Sequence, residues 1–207
     1  MQRTGITTFY GPALVASFGE WAPYNEMTYQ SFHDLLVADT VYPYTYNIPP
    51  FWTEEYLEWE KQTRAKGRIE NHWVTLHGGK VSGRLIAGNL NTMKGIWGSD
   101  YLPDIKPGDI LMVEDADKTA SIVEKNFSLL KVNGIFDRIG GLILGKHAGF
   151  DDQGTGRTPS EILQEVMGKV PFPVLTEFDC AHTHPMLTLP IGMQVELDSQ
   201  TQTLRLL

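Results

Sequence analysis

Asp109-Ile-Leu-Met-Val-Glu-Asp115 is an apolar run that opens after Pro107-Gly108 and ends abruptly on two carboxylates. A short apolar run of this kind, bounded by turn residues, reads as a strand. From Lys118 to Val132, Ile122, Val123, Phe127, Leu129 and Leu130 make one helical stripe, and Gly134 follows as a terminator. Ile139–Leu144 reads as a second strand (of buried type), Pro159–Met167 as a helix with proline in its first turn, and Val174–Phe178 as a third strand. Strand, helix, strand, helix, strand predicts an α/β domain with parallel pairing.

Outward from this block, Trp73–Leu76 and Val81–Ile86 are strand-like around Gly78-Gly79, a hairpin signal. Gly88-Asn-Leu-Asn opens a short helix towards Trp97, and Met193–Leu197 with Thr203–Leu206 reads as a closing hairpin. Nearer the start, Met27–Ala38 carries Phe32, Leu35 and Leu36 at helical spacing behind Asn25 as a cap. Val41–Ile48, if extended, sets Tyr42, Tyr44 and Tyr46 on one face. Thr53 can cap a short helix carrying Tyr56, Leu57 and Trp59, and the polar stretch Lys61–Asn71 reads as a linker. The β-prone Thr7-Thr-Phe-Tyr10 has no element before it to pair with, so the chain starts like the middle of something longer.

A length of 207 residues allows one sizeable core or two small ones. The net charge of −8, with no basic cluster, argues against nucleic acid as a partner. No apolar run reaches the roughly 18–20 residues of a membrane span, and the single cysteine, Cys180, fits a reducing compartment, with cytoplasm as the default.

Candidate chemistry gathers in Asp179-Cys-Ala-His-Thr-His-Pro-Met-Leu-Thr-Leu-Pro-Ile-Gly192. If extended, the run sets Cys180, His182 and His184 on one face. Three readings compete for the imidazoles. They bond locally; or they chelate a metal with His147 or Asp151, although no tightly spaced third ligand is present; or one is a general base with Glu114 behind it. Asp115 reads instead as a helix N-cap, and Cys180 as a buried, inert thiol. No Gly-x-Ser-x-Gly occurs, so the residues supply a base and an orienter without a nucleophile.

Five segments taken together resemble the LD-carboxypeptidase family of serine peptidases, most closely its microcin C self-immunity branch. They are Thr8-Phe-Tyr-Gly-Pro-Ala-Leu14; Gly83-Arg-Leu-Ile-Ala-Gly-Asn-Leu-Asn91 with Gly95-Ile-Trp-Gly-Ser-Asp-Tyr-Leu-Pro103; Ile110-Leu-Met-Val-Glu-Asp115; Gly141-Leu-Ile-Leu-Gly-Lys-His147; and His182-Thr-His-Pro-Met-Leu-Thr-Leu-Pro-Ile-Gly192. The resemblance implies the remainder of a Rossmann/flavodoxin-like nucleophile domain at 1–48, a linker and substrate loop at 49–71, and a mixed-sheet, swivelling β/β/α-like C-terminal domain at 72–207. It places Glu114 and His182 on the glutamate and histidine of a Ser-Glu-His triad, and assigns Trp52 and Asn89 to substrate binding. His184 stands where the family carries threonine. The family's Gly-x-Ser-Asp elbow would precede residue 1, and Ser99-Asp100 does not replace it because that segment matches another block.

The implied reaction is hydrolysis of a murein LD-peptide bond or of a microcin C-like peptidyl or aminoacyl nucleotide. It implies no metal or other cofactor, a small peptide or peptidyl-nucleotide substrate, an N-terminal domain as partner, and a homodimer. The competing expectation is an inactive ligand-binding module of the same fold.

Overall fold

A computed structural model describes residues 3–207. The first elements are β1 (Thr8–Tyr10), α1 (Tyr24–Leu36), β2 (Tyr44–Thr45), β3 (Phe51–Trp52), β4 (Ile69–Glu70), β5 (Val74–His77), β6 (Lys80–Asn89) and α2 (Leu90–Met93). They are followed by β7 (Ile110–Glu114), α3 (Ala120–Val132), β8 (Gly141–Gly145), α4 (Pro159–Met167), β9 (Val174–Phe178), β10 (Leu189–Ile191), β11 (Gln194–Asp198) and β12 (Thr203–Leu206). The expected α/β class holds, and the main sheet is mixed, with eight strands in the order β2-β12-β11-β6-β7-β8-β9-β5.

β6 is the hinge of this sheet. Its first half, Lys80–Arg84, pairs antiparallel with β11, and its second half, Leu85–Asn89, pairs parallel with β7. β7, β8 and β9 continue the parallel block. The apolar runs therefore split by parity. Ile86, Leu111, Val113, Leu142 and Leu144 face the helix side with Val123, Phe127, Leu130, Ile162 and Leu163. Leu85, Ile110, Met112, Ile143 and Leu175 face Trp73, Phe178, Val195 and Leu197 on the other side. Burial on both faces explains why these strands show no polar alternation. Each such side chain contributes roughly 1.5–3 kcal/mol on leaving water.

The expected hairpin at Gly78-Gly79 is not formed. β5 pairs with β9 at one edge, while β6 lies between β11 and β7. The two-residue link joins strands that the curl of the sheet brings end to end, with the Gly79 carbonyl accepting from the Ser199 amide at 3.0 Å. The expected helix behind Thr53 is also absent. Thr53 instead forms a bridge with His184, amide to carbonyl in both directions at 2.8 and 2.9 Å. The polar stretch after it contributes β4, paired with β3.

The segment before residue 49 packs on the rest through strand pairing and side-chain contacts. β1 pairs with β10, β2 pairs with β12, and α1 turns Thr28 and Ser31 inward. α1 begins at Tyr24 with Pro23 rather than Asn25 at its cap. Among the described residues no helix is long and apolar enough to cross a membrane.

Candidate active site

Parallel α/β sheets present their functional groups at the carboxyl ends of the strands. Here those ends carry Asn89 on β6 and Glu114 on β7, which are register partners, then Gly145 on β8 and Phe178 on β9. Lys146 and Asp179 come one residue past the last two.

Glu114 is completely buried. Its Oε2 lies 2.9 Å from His182 Nδ1; its Oε1 accepts from the Tyr10 hydroxyl at 2.5 Å and from Asn89 Nδ2 at 2.9 Å. Burial pushes its pKa up, yet the hydrogen bonds from His182, Tyr10 and Asn89 outweigh burial and leave it below the ordinary carboxylate value. The same hydrogen bond raises the His182 pKa against the opposing effect of burial. Burial, then the neighbouring Glu114 charge, holds the Tyr10 phenol protonated far above its usual range.

The imidazole is 55% exposed at its side chain, and Nε2 has no hydrogen bond within the described chain. It opens onto a hollow of about 300 Å³ lined by Tyr10, Ala13, Ser17, Ala181 and Met186. A carboxylate fixing Nδ1 while Nε2 faces open space is the arrangement of a general base with its orienter.

Asn89 does two jobs. Its Oδ1 caps α2 by accepting from the Thr92 amide at 2.9 Å, while its Nδ2 holds Glu114. Gly145 is small because β8 passes close to both functional strand ends: a Cβ there would sit 2.8 Å from Glu114 Cβ and 3.2 Å from the Cys180 carbonyl.

The run from Cys180 to Met186 is a bent loop rather than an extended strand, so Cys180 is separated from His182 and His184, which both line the hollow. Cys180 is fully buried, with its thiol pushed well above the usual range by burial. His184 turns inward, where burial and then the Lys66 charge lower its pKa to about 4. Asp115 does not cap α3, which begins behind Thr119; it accepts from Asn126 Nδ2 at 2.9 Å instead. Among the described residues no three His, Cys, Asp or Glu side chains cluster as metal ligands. Trp52 does not line the hollow beside His182; its ring lies 5.3 Å from Lys146 Nζ.

Residues 82–197 match the family described as the LD-carboxypeptidase C-terminal domain. The chain belongs to the LD-carboxypeptidase family. Its relatives include "Putative carboxypeptidase" of Vibrio cholerae, 49% identical over 204 residues, which covers 99% of this chain and 61% of that protein. The microcin C7 self-immunity protein MccF of Escherichia coli is 48% identical over 198 residues, covering 95% of this chain and 58% of that one. A solved structure of MccF in complex with glutamyl sulfamoyl guanosine superposes with a TM-score of 0.95 at 46% identity, over 99% of this chain and 62% of that chain. The resemblance to the microcin C immunity branch therefore holds in sequence and in fold. This chain spans about three fifths of the length of these LD-carboxypeptidase relatives.

Two features of the site lay outside the sequence reading. The Tyr10 hydroxyl on Glu114 had no local signal, because Tyr10 sits in a short β-prone run with nothing beside it in sequence to mark a polar partner. Phe9 is 41% exposed, whereas Tyr10 turns in. The other is a closed ion pair between Lys146 and Asp179, with Nζ to Oδ1 at 2.7 Å and both residues buried.

Proposed function

We propose that the chain carries the Glu114–His182 half of a serine amidohydrolase, with the nucleophilic hydroxyl supplied from outside these 207 residues. The observation that carries this reading is the 2.9 Å contact from Glu114 Oε2 to His182 Nδ1, made by a buried carboxylate to an imidazole whose far side is open. His182 Nε2 takes the proton of a serine hydroxyl as it attacks the acyl carbon, then returns it to the leaving amine. Glu114 keeps Nδ1 protonated and stabilises the imidazolium.

The proposed substrate is an aminoacyl or peptidyl nucleotide rather than a murein LD-peptide. The 46%-identical fold of MccF holding glutamyl sulfamoyl guanosine supports that choice. Trp52, half-buried against Lys146, offers its remaining ring surface to a base, and Asn89 completes the polar wall beside Glu114.

The test is hydrolysis of glutamyl sulfamoyl guanosine and of a murein tetrapeptide by the 207-residue chain. Each is assayed alone and after mixing with the part of the Escherichia coli relative that this chain does not match. The expected result is no turnover alone, and turnover of the nucleoside conjugate on mixing that His182→Ala and Glu114→Ala both abolish. Turnover by the chain alone, lost in both variants, would place the nucleophile within it. Binding without turnover in every mixture would leave the ligand-binding module standing.

A further inference from the structure

The loop that presents His182 leaves β9 at Phe178 and returns to β10 at Leu189. Its returning limb has several pins. Thr28 Oγ1 accepts from the Met186 amide at 3.1 Å, Ser31 Oγ accepts from the Thr188 amide at 3.0 Å, and His184 bridges to Thr53. Its outgoing limb, Asp179 to His182, is held at Asp179.

That anchor is elaborate. Asp179 Oδ2 accepts from Asn71 Nδ2 and from Trp73 Nε1, each at 2.8 Å, and Oδ1 accepts from Lys146 Nζ at 2.7 Å. The Asp179 carbonyl closes the loop by accepting from the Leu187 amide at 2.7 Å. Lys146 also reaches two residues further back, where its ammonium donates to the Glu177 carbonyl. Glu177 is the turning point of the chain. Between Ile143–Gly145 on β8 and Leu175–Phe178 on β9 the register slips, with the extra residue on β9, and Glu177 has a φ of +62°. A bulge of this kind bends a strand and re-aims the chain beyond it, and a non-glycine residue in that region persists only where its surroundings hold it. Lys146 holds both sides of the bend.

We propose that Lys146 and Asp179 are positioning residues for His182: together they lock the bulged end of β9 so that the outgoing limb delivers the imidazole to Glu114. They touch neither substrate nor the reacting atoms. A wholly buried pair completed by Asn71 and Trp73 is more than the core of a strand end needs, since apolar residues of the same volume would pack there without the desolvation of two charges. The proposal rests on His182 being the base that Glu114 orients.

The experiment reads His182 directly, by following its ring protons by NMR against pH in the 207-residue chain. Besides Glu114, the charged groups facing the imidazole are Asp115 and Asp117, and none of the variants changes them. In the unaltered chain His182 titrates above the ordinary imidazole value of ~6.5, and Glu114→Gln removes the elevation. The informative variant is the double substitution Lys146→Met with Asp179→Asn, which leaves no unpaired charge behind. The control is Arg84→Met with Asp109→Asn, which deletes an ion pair between the middle of β6 and the residue before β7, where the parallel pairing of these strands begins.

The expected result is that the first double variant lowers the His182 titration to that of an ordinary imidazole, while the control melts earlier but keeps the elevated titration. In the complemented enzyme the first variant should then lower kcat at least tenfold. An unchanged His182 titration in a folded Lys146→Met, Asp179→Asn chain overturns the proposal, as does an equal loss in the control. If Glu114→Gln also leaves the titration unchanged, the Glu–His reading itself falls, and the positioning role falls with it.

Discussion

Glu114 and Asp179 are both carboxylates without solvent contact at the carboxyl ends of β7 and β9, with β8 between them, and each accepts three side-chain hydrogen bonds. They differ in the company they keep. Glu114 faces an imidazole that is half open to solvent, whereas Asp179 faces an ammonium that is closed off with it. A buried carboxylate becomes useful to chemistry when one of its partners can change protonation in contact with the outside. When every partner is buried and fixed, the same group is an anchor. Burial alone separates neither role from the other; the exposure of the partner does.

The sharpest way to break this contrast is to neutralise each carboxylate's arrangement and ask what is lost. Glu114→Gln in the complemented enzyme should lower kcat by about 10⁴-fold, as expected when a base loses its orienting carboxylate. A loss below tenfold would demote Glu114 to a structural group. Lys146→Met should show the reverse emphasis. It strands a buried carboxylate, and urea unfolding should report a loss of about 3–5 kcal/mol, most of it recovered when Asp179→Asn is added.

Gly145→Ala presses on both regions at once, because its new methyl would sit against Glu114 Cβ on one side and the Cys180 carbonyl on the other. A loss of about 1–3 kcal/mol in urea is expected, with a proportionally larger fall in turnover. Wild-type stability with full activity would show that the strand ends are looser than the geometry implies.

Tyr10→Phe removes one charge-assisted bond to Glu114, worth about 1.5–3 kcal/mol in such settings before the carboxylate readjusts. The smallest effect is on pH dependence, and its sign comes from the two shifts. Glu114 sits below its unfolded value, so its contribution is full above ~4.3 and is lost as pH falls through the folded value. His182 sits above its unfolded value, so its contribution is full below ~6.5 and is lost as pH rises through the folded value. Urea midpoints measured from pH 3 to pH 9, roughly the span of both transitions, should fall at both ends, and Tyr10→Phe should move the acid limb upward. An acid limb that does not respond would detach Tyr10 from Glu114.

The sequence made the central block legible because its signals are local. The Asp109–Asp115 run, the stripe on α3 and the proline opening α4 each carry their own periodicity or cap, and the Gly-Asn-Leu-Asn turn marks the start of α2. Glu114 and His182 stood out as polar residues where apolar segments end, and the family resemblance paired them. What failed was decided by distant partners. Thr53 has the chemistry of a cap, yet its backbone is claimed by His184. Gly78-Gly79 has the chemistry of a hairpin, yet each flanking strand finds a better neighbour across the sheet. Lys146 between Gly145 and His147 looks like a surface lysine, and only Asp179, 33 residues on, makes it an interior one.

The three partners of Glu114 come from 104, 25 and 68 residues away: Tyr10, Asn89 and His182. Contacts of such unequal reach cannot close together, since each longer loop gives up more freedom before it gains anything. On a ribosome the order of events is set by topology. Asn89 meets Glu114 as soon as β6 and β7 zip up. Tyr10, although synthesised earliest, rides on β1, whose strand partner β10 is made almost last. A nascent chain ending at β9 therefore holds a carboxylate with Asn89 as its sole partner of the three, and the site finishes folding only when its oldest and newest segments meet.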